Sequence, residues 1–204
     1  MTKIMTPSRK PMTNGQIDKA VGHYRDLLLK HRNEVGSSEA VQGVLGQSDY
    51  LAEQLAVIRK RVEAVSNIIV RRVKVDRMRT PQAILDATGR KQYTDKSVVA
   101  AMPRGEGVEV DVHFFKLGRY ISDADLDKEY ELRGLKPADP YSQAAVNEAD
   151  PTFADEHPNG THWKDGADKW CFATFDRWGG GRDVYVYRYG RDWSDGWFFA
   201  GVRK

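Results

Sequence analysis

Cysteine is nearly absent. Cys171 is the single one among 204 residues, which excludes an internal disulfide and a cysteine-ligated zinc centre, so nothing in the composition requires an oxidising compartment. Long apolar runs are missing too, and no stretch approaches the length of a membrane span. The opening MTKIMTPSRKPMTN has cations with no apolar stretch behind them. It does not read as a secretory signal, and synthesis in the cytoplasm is expected. Charge of one sign is lacking as well: 32 Lys and Arg against 29 Asp and Glu leave +3, a mixed surface that permits but does not argue for a polyanionic partner. Neither a Gly-rich phosphate loop nor a nucleophile elbow occurs, and no Ser/His/Asp or Cys/His set can be assembled from spacing. Catalysis has little support. Neither an enzymatic activity nor a cofactor is expected.

What is present begins with helices. Residues 1–12 are polar and Pro-containing and are expected to be disordered. Thr13 and Gln16 have capping-box spacing, and Ile17, Ala20, Val21, Tyr24, Leu27 and Leu28 recur at helical intervals. The pattern predicts a helix over 14–33. A short helix follows over 38–45, then a longer one capped by Ser48 or Asp49 with the stripe Leu51, Leu55, Ile58, Val62 and Val65. IIVRRVKVDR reads as a strand. Thr80-Pro81 opens a short helix that Gly89 ends, and Thr94–Ala101 predicts another.

The pattern changes after Gly105 and Gly107. Val108, Val110 and Val112 alternate with charged residues and lead into a strand near 108–118. Ser122 caps a helix over 123–133, and Pro140–Asn147 forms a second. Four strands then follow at Thr161–Lys164, Lys169–Arg177, Asp183–Tyr189 and Trp197–Arg203, separated by Gly- and Asp-rich turns. The expected fold class is α+β, with a mainly helical region over 13–105, a second domain over 106–204 and a soft boundary near 78–106.

The tail from Phe175 interleaves two kinds of residue. Arg177, Trp178, Arg182, Val184, Val186, Arg188, Trp193, Trp197 and Phe199 form a heavy frame. Between them stand Asp176, Gly179, Gly180, Gly181, Asp183, Tyr185, Tyr187, Tyr189, Gly190, Arg191, Asp192, Ser194, Asp195 and Gly196. Each of these fourteen can be reached from an AAC or AAT asparagine codon by changing adenines alone. Lys, Glu, Gln, Met and Trp cannot be reached that way, and none stands there. On a strand, Tyr185, Tyr187 and Tyr189 share one face and Val184 and Val186 the other. With the valines inward, the tyrosines become a flat solvent-facing row, a residue type suited to adaptable binding surfaces.

Plainer readings stand beside this one. The five tryptophans, Trp163, Trp170, Trp178, Trp193 and Trp197, read first as the core of an antiparallel sheet. His157 and His162 lie near Asp155, Glu156 and Asp165, but the spacing matches no metal motif and no metal is assigned. The alternative function is a single-stranded nucleic-acid module, with Arg188 and Arg191 among the tyrosines. Asp176, Asp183, Asp192 and Asp195 on the same surface would repel phosphates. Arg59-Lys60-Arg61 and Arg71-Arg72 with Lys74 are better basic patches, although a solvated face explains such runs.

The tail resembles the variable region of target proteins of diversity-generating retroelements, in which an error-prone reverse transcriptase mutates template adenines and overwrites the end of a gene. Asn at the intercalated positions gives the asparagine-rich text that an adenine-rich template encodes. Phe199-Ala200-Gly201-Val202-Arg203 is similar to the closing strand of the C-type lectin fold of those proteins, and the segment ADPTFADEHPNGTHWKD looks like text from bacterial proteins sharing this tail. The resemblance covers roughly 106–204. It implies a C-type-lectin-like domain of one strand, two helices and a Trp-rich antiparallel meander, with a variable tail over 175–198. It also implies a non-enzymatic binding protein whose fourteen intercalated residues read a protein or other macromolecular ligand. Nucleic acid is the less favoured partner. The helical stripe near 49–68 would serve a homo-oligomer or attachment to another protein.

Overall fold

The computed structural model describes residues 12–47, 49–66, 68–188 and 192–204, with the side chains of 59, 60 and 63–65 left aside. Among the described residues, eight helices and eight strands form a mixed α/β arrangement. The chain divides into two compact units, the first ending at Ala56 and the second beginning at Val57. This differs from the expected boundary near 78–106. Residues 69–94 look separate in sequence, yet they supply two strands to the sheet of the second unit.

In the first unit, α1 (Asn14–His31) starts at a complete capping box: the Thr13 side chain accepts from the Gln16 N–H, and the Gln16 side chain reaches back to Thr13. Ser37 caps α2 (Ser38–Leu45) through the Ala40 N–H. α3 (Tyr50–Ser66) begins here and runs into the second unit. Neither α1 nor α2 buries a residue. Ile17, Val21, Tyr24, Leu27 and Leu28 are exposed, as are Leu51, Leu55, Ile58 and Val62 of α3. The predicted stripe member Val65, the patch residues Arg59 and Lys60, the cap Ser48 and the expected disorder of 1–11 lie outside what is described.

The second unit is built on one sheet. Its strands are β1 (Ile69–Lys74), β2 (Lys91–Thr94), β3 (Glu109–Lys116), β4 (Leu135–Pro137), β5 (Asn159–Lys164), β6 (Trp170–Trp178), β7 (Gly181–Arg188) and β8 (Phe198–Arg203). They lie in the order β1-β3-β8-β5-β6-β7-β2, with β4 also on β8. Five helices join them: α4 (Pro81–Asp86), α5 (Lys96–Ala100), α6 (Asp123–Leu132), α7 (Pro140–Ala149) and α8 (Phe153–Glu156). The caps at Thr80, Ser122 and Asp139 are made by side-chain oxygens, and Pro81 and Pro140 occupy positions where the missing N–H costs nothing. The simple meander is corrected. β8 returns between β3 and β5, pairing parallel with β5, and β2 adds a parallel edge to β7.

Each face of the sheet carries a buried cluster, and strand alternation decides which residue goes where. Phe114 and Ala200 belong to a cluster with Val184, Val186, Phe175 and Tyr141. Their neighbours Phe115 and Phe199 point the other way, into a second cluster with Leu126, Tyr130, Leu135 and Trp193. The tryptophan-core expectation holds for Trp193 alone. Trp163, Trp170 and Trp197 are half-buried, and Trp178, at the end of β6, is 78% exposed.

Candidate functional site

The site lies on the face of β6 and β7 opposite the valines. The register sets Phe172 beside Tyr187, Thr174 beside Tyr185, and Asp176 beside Asp183. Their chain neighbours Cys171, Ala173, Phe175, Val184 and Val186 fill the first cluster. Beyond Trp178 the hairpin turns through Gly179 (φ 56) and Gly180 (φ 89), both in the left-handed region. At the edge, β2 places Tyr93 opposite Tyr185, and the rings stack at 4.9 Å with planes 9° apart.

The opposite wall is the segment 192–197. Trp193 fixes it by exchanging main-chain hydrogen bonds with Ile121 (3.1 and 2.8 Å), while its Nε1 donates to Asp123 Oδ1 at 2.9 Å. The ring packs edge-on against Phe199 and Trp197. It needs Gly160 beneath it, because a Cβ there would lie 2.5 Å from Trp193 Cζ3. His162 Nδ1 also meets Asp123 Oδ1 at 2.7 Å. The imidazole stacks on Trp170 at 4.7 Å. Burial opposes its charged form, but Asp123 and Asp127 outweigh that and hold its pKa above the usual histidine value. The side chain is enclosed, so it braces Trp193 rather than opening on the cleft.

Three frame arginines tie the hairpin to the rest of the unit. Arg182 grips Asp155 of α8 through Nε and Nη2 (3.0 and 2.8 Å), Arg177 reaches the same carboxylate at 3.4 Å, and Arg188 meets Asp165 at 2.6 Å. The Arg182 contact is the first cause holding Asp155 below the usual carboxylate range. For Asp165 the Lys169 N–H leads and Arg188 follows.

Between these walls lies a cleft of about 710 Å³. Of the predicted site residues, Asp176, Tyr185, Tyr187, Asp192 and Ser194 line it. Gly179 and Gly180 form the exposed hairpin turn, Gly181 opens β7 and is also exposed, and Asp195 and Gly196 stand in an exposed turn of the 192–197 segment. Tyr189, Gly190 and Arg191 lie outside the described residues. Two expectations are corrected. The tyrosines do not make a flat solvent row, since Tyr185 is half-buried against Tyr93 and the surface is concave. Asp183 is not a free surface position; it is 5% exposed. Burial first, then Asp183, raises the pKa of Asp176, and burial likewise raises that of Tyr185.

Sequence reasoning missed Tyr120, Asp123, Phe172 and Thr174 as lining residues. The last two were legible in the alternation of WCFATFDRW. Tyr93 was not, because only long-range parallel pairing brings it there. The residues weighed for a metal separate: His157 packs between Phe153 and Phe198, and His162 faces Asp123. Among the described residues no group of three or more metal-type ligands comes together. The basic patch near β1 is engaged, with Arg72 bidentate on Asp111 (2.8 Å each) and Arg71 lying over the Phe153 ring at 4.9 Å. No helix is long and apolar enough to cross a membrane among the described residues. No family model, curated protein or solved structure matches the chain.

Proposed function

We propose that this chain is a non-enzymatic binding protein that presents a diversified ligand surface, the cleft between β6–β7 and the 192–197 segment, on a C-type-lectin-like scaffold. One observation carries the reading: the apolar frame residues of the tail fill the interior, while the described intercalated residues, Asp183 apart, lie at the cleft or on exposed turns, where the frame residues Trp178, Arg188 and Trp197 join them. Val184, Val186, Phe199 and Trp193 are buried, each large apolar side chain contributing roughly 1.5–3 kcal/mol. Tyr185, Tyr187, Asp192, Ser194 and Asp176 line the cleft. The positive φ values at Gly179 and Gly180 add support. Asn, Asp and Gly are the residues that enter that region most readily, and all three are reachable from the same template codon.

The strand near 109–116, the helices α6 and α7 and the Phe-Ala-Gly-Val-Arg closing strand support the lectin-like scaffold. The exposed stripe of α1 and α3 supports contact with a second copy of the chain. The test is genomic. The reading requires AAC- or AAT-related codons at the fourteen positions and a near-copy of this segment, adenine-rich there, beside a reverse transcriptase gene. A locus with neither overturns it.

A further inference from the structure

The cleft is lined by a carboxylate, Asp176, one oxygen of which no described donor hydrogen-bonds. Oδ1 of Asp176 is enclosed and, among the described residues, has no hydrogen-bond partner. Arg90 offsets part of its charge without a hydrogen bond to the carboxylate: its Nη1 donates to the main-chain carbonyl of Asp176 at 2.8 Å, and its Nη2 to that of Pro151 at 2.9 Å. Across the strand pair stands Asp183, a second carboxylate. An enclosed acceptor without a donor is costly, and a charged one more so.

Asp176 itself lines the cleft, and the rest of the lining points to what would offset its charge. Phe172, Trp178, Tyr185, Tyr187 and Trp197 present aromatic surface to the same space. The described charged residues lining it are Asp123, Asp176, Asp192 and Arg188. Of these, Asp123 is engaged by His162 and Trp193, and Arg188 by Asp165. A carboxylate without a described side-chain hydrogen bond, set among aromatic faces, is a setting for a cation.

We propose that the cleft binds an arginine side chain of a protein ligand, the guanidinium meeting Asp176 and lying against the aromatic walls; this rests on the binding-surface reading above. Arginine suits the geometry better than lysine, because a planar guanidinium can pair with a carboxylate edge-on while its face stacks on tyrosine or tryptophan. A sugar hydroxyl could donate to Asp176 but would leave its charge uncompensated. A phosphate would meet three carboxylates.

The experiment titrates the full chain, with ¹⁵N-labelled tryptophan, with N-acetyl-arginine amide, N-acetyl-norleucine amide and methyl glucoside, reading the indole N–H signals of Trp178 and Trp197. The arginine probe should shift both signals saturably and bind about tenfold more tightly than either neutral probe, the ratio expected of one charge-assisted hydrogen bond. Asp176→Asn should weaken it about tenfold. That variant keeps the main-chain carbonyl that Arg90 holds, and an unchanged melting transition certifies its fold. Trp178→Ala, at an exposed position, should also weaken binding and serves as the second variant. Binding should fade as pH is lowered from neutral into the carboxylate range, and at a higher pH than for an ordinary aspartate, since proton and cation compete for a carboxylate whose pKa is raised.

Equal binding of norleucine amide, tightest binding of the glucoside, no shift with any probe, or an Asp176→Asn variant that binds as well would each overturn the proposal. The two readings fail separately. A template repeat with no arginine binding refutes the ligand class alone. Arginine binding without a template repeat refutes diversification and leaves the cation cleft standing.

Discussion

Asp123 opens α6, and one of its oxygens receives both the Trp193 indole N–H and His162 Nδ1. Replacing it with asparagine keeps the shape and removes the charge. His162 is enclosed between Asp123 and Asp127, with Tyr130, Trp170 and Trp193 as its other ring neighbours. Asp127 Oδ1 lies 3.0 Å from Nε2, yet Nε2 has no well-directed hydrogen bond. Asp127 still helps to hold the ring protonated, less than Asp123 does, and its side chain is half exposed. Removing one partner of an enclosed ion pair costs about 3–5 kcal/mol. With Asp127 left in place the lower end, about 3 kcal/mol, is expected for Asp123→Asn. For a unit of this size that lowers the melting temperature by roughly 6–12 °C.

The pH profile carries the sharper test. The folded pKa of His162 lies above its unfolded value of about 6.5. Its contribution is thus fully present below about pH 6.5 and is lost as pH rises through the folded pKa, with a slope of at most about 1.4 kcal/mol per pH unit. His113 works in the opposite sense, because burial first, then Arg203, lowers its pKa. Subtracting the two profiles cancels His113. Urea denaturation followed by tryptophan fluorescence from about pH 5.5 to about pH 8.5 should show the wild type losing stability relative to Asp123→Asn as pH rises. A loss under about 1 kcal/mol with parallel profiles refutes the claim that Asp123 and His162 form a charged brace under Trp193.

Two further outcomes follow from the geometry. Gly160→Ala would set a Cβ 2.5 Å from Trp193 Cζ3 and 2.9 Å from Cη2, so the ring must move. A loss of about 1–3 kcal/mol is expected in thermal melts. Gly196→Ala meets nothing within 4 Å and should stay within about 0.5 kcal/mol; equal losses would refute the packing argument. The uncovered helical stripe predicts a mass above one chain in light scattering, and Leu51→Lys with Leu55→Lys should return the protein to monomer. A wild type that is monomeric at high concentration refutes the second-copy assignment.

Local chemistry was the legible part of this fold. The Thr13–Gln16 box, Thr80-Pro81, Ser122 and the Gly179–Gly181 turn announce themselves within a few residues, and the structure places elements where they point. Period-2 alternation likewise assigned Val184 and Val186 to the inside. What escaped depends on distant partners. β2 is four residues long and exists because β7 pairs with it. Asp123 reaches His162 across 39 residues and Trp193 across 70, and no local pattern encodes either contact. Asp183 looked like any turn-flanking acid. It is buried where β7 has a strand on each side, with Asp176 of β6 and Lys91 of β2 as its partners in the register.

That burial changes how the proposed variable surface should be understood. If all intercalated positions were equally free, exchanging them would leave the scaffold untouched. Tyr187, Asp192 and Asp195 fit that description, because they are exposed on a hairpin and a loop whose anchors lie in other residues. The anchors are the Arg182 and Arg188 clamps onto Asp155 and Asp165 and the seat of Trp193 on Asp123. Asp183 does not fit, and Tyr185 fits only in part, because its ring is stacked on Tyr93. A bulky or strongly apolar residue at 183 must displace packed neighbours, whereas small and polar ones need not. Asp176 lies between the two cases. Its enclosed oxygen lacks a hydrogen-bond partner among the described residues, which costs stability, while the residue also lines the cleft. The diversity such a tail can present is therefore graded, widest at the loop and hairpin tip and narrowest where the cleft meets the sheet.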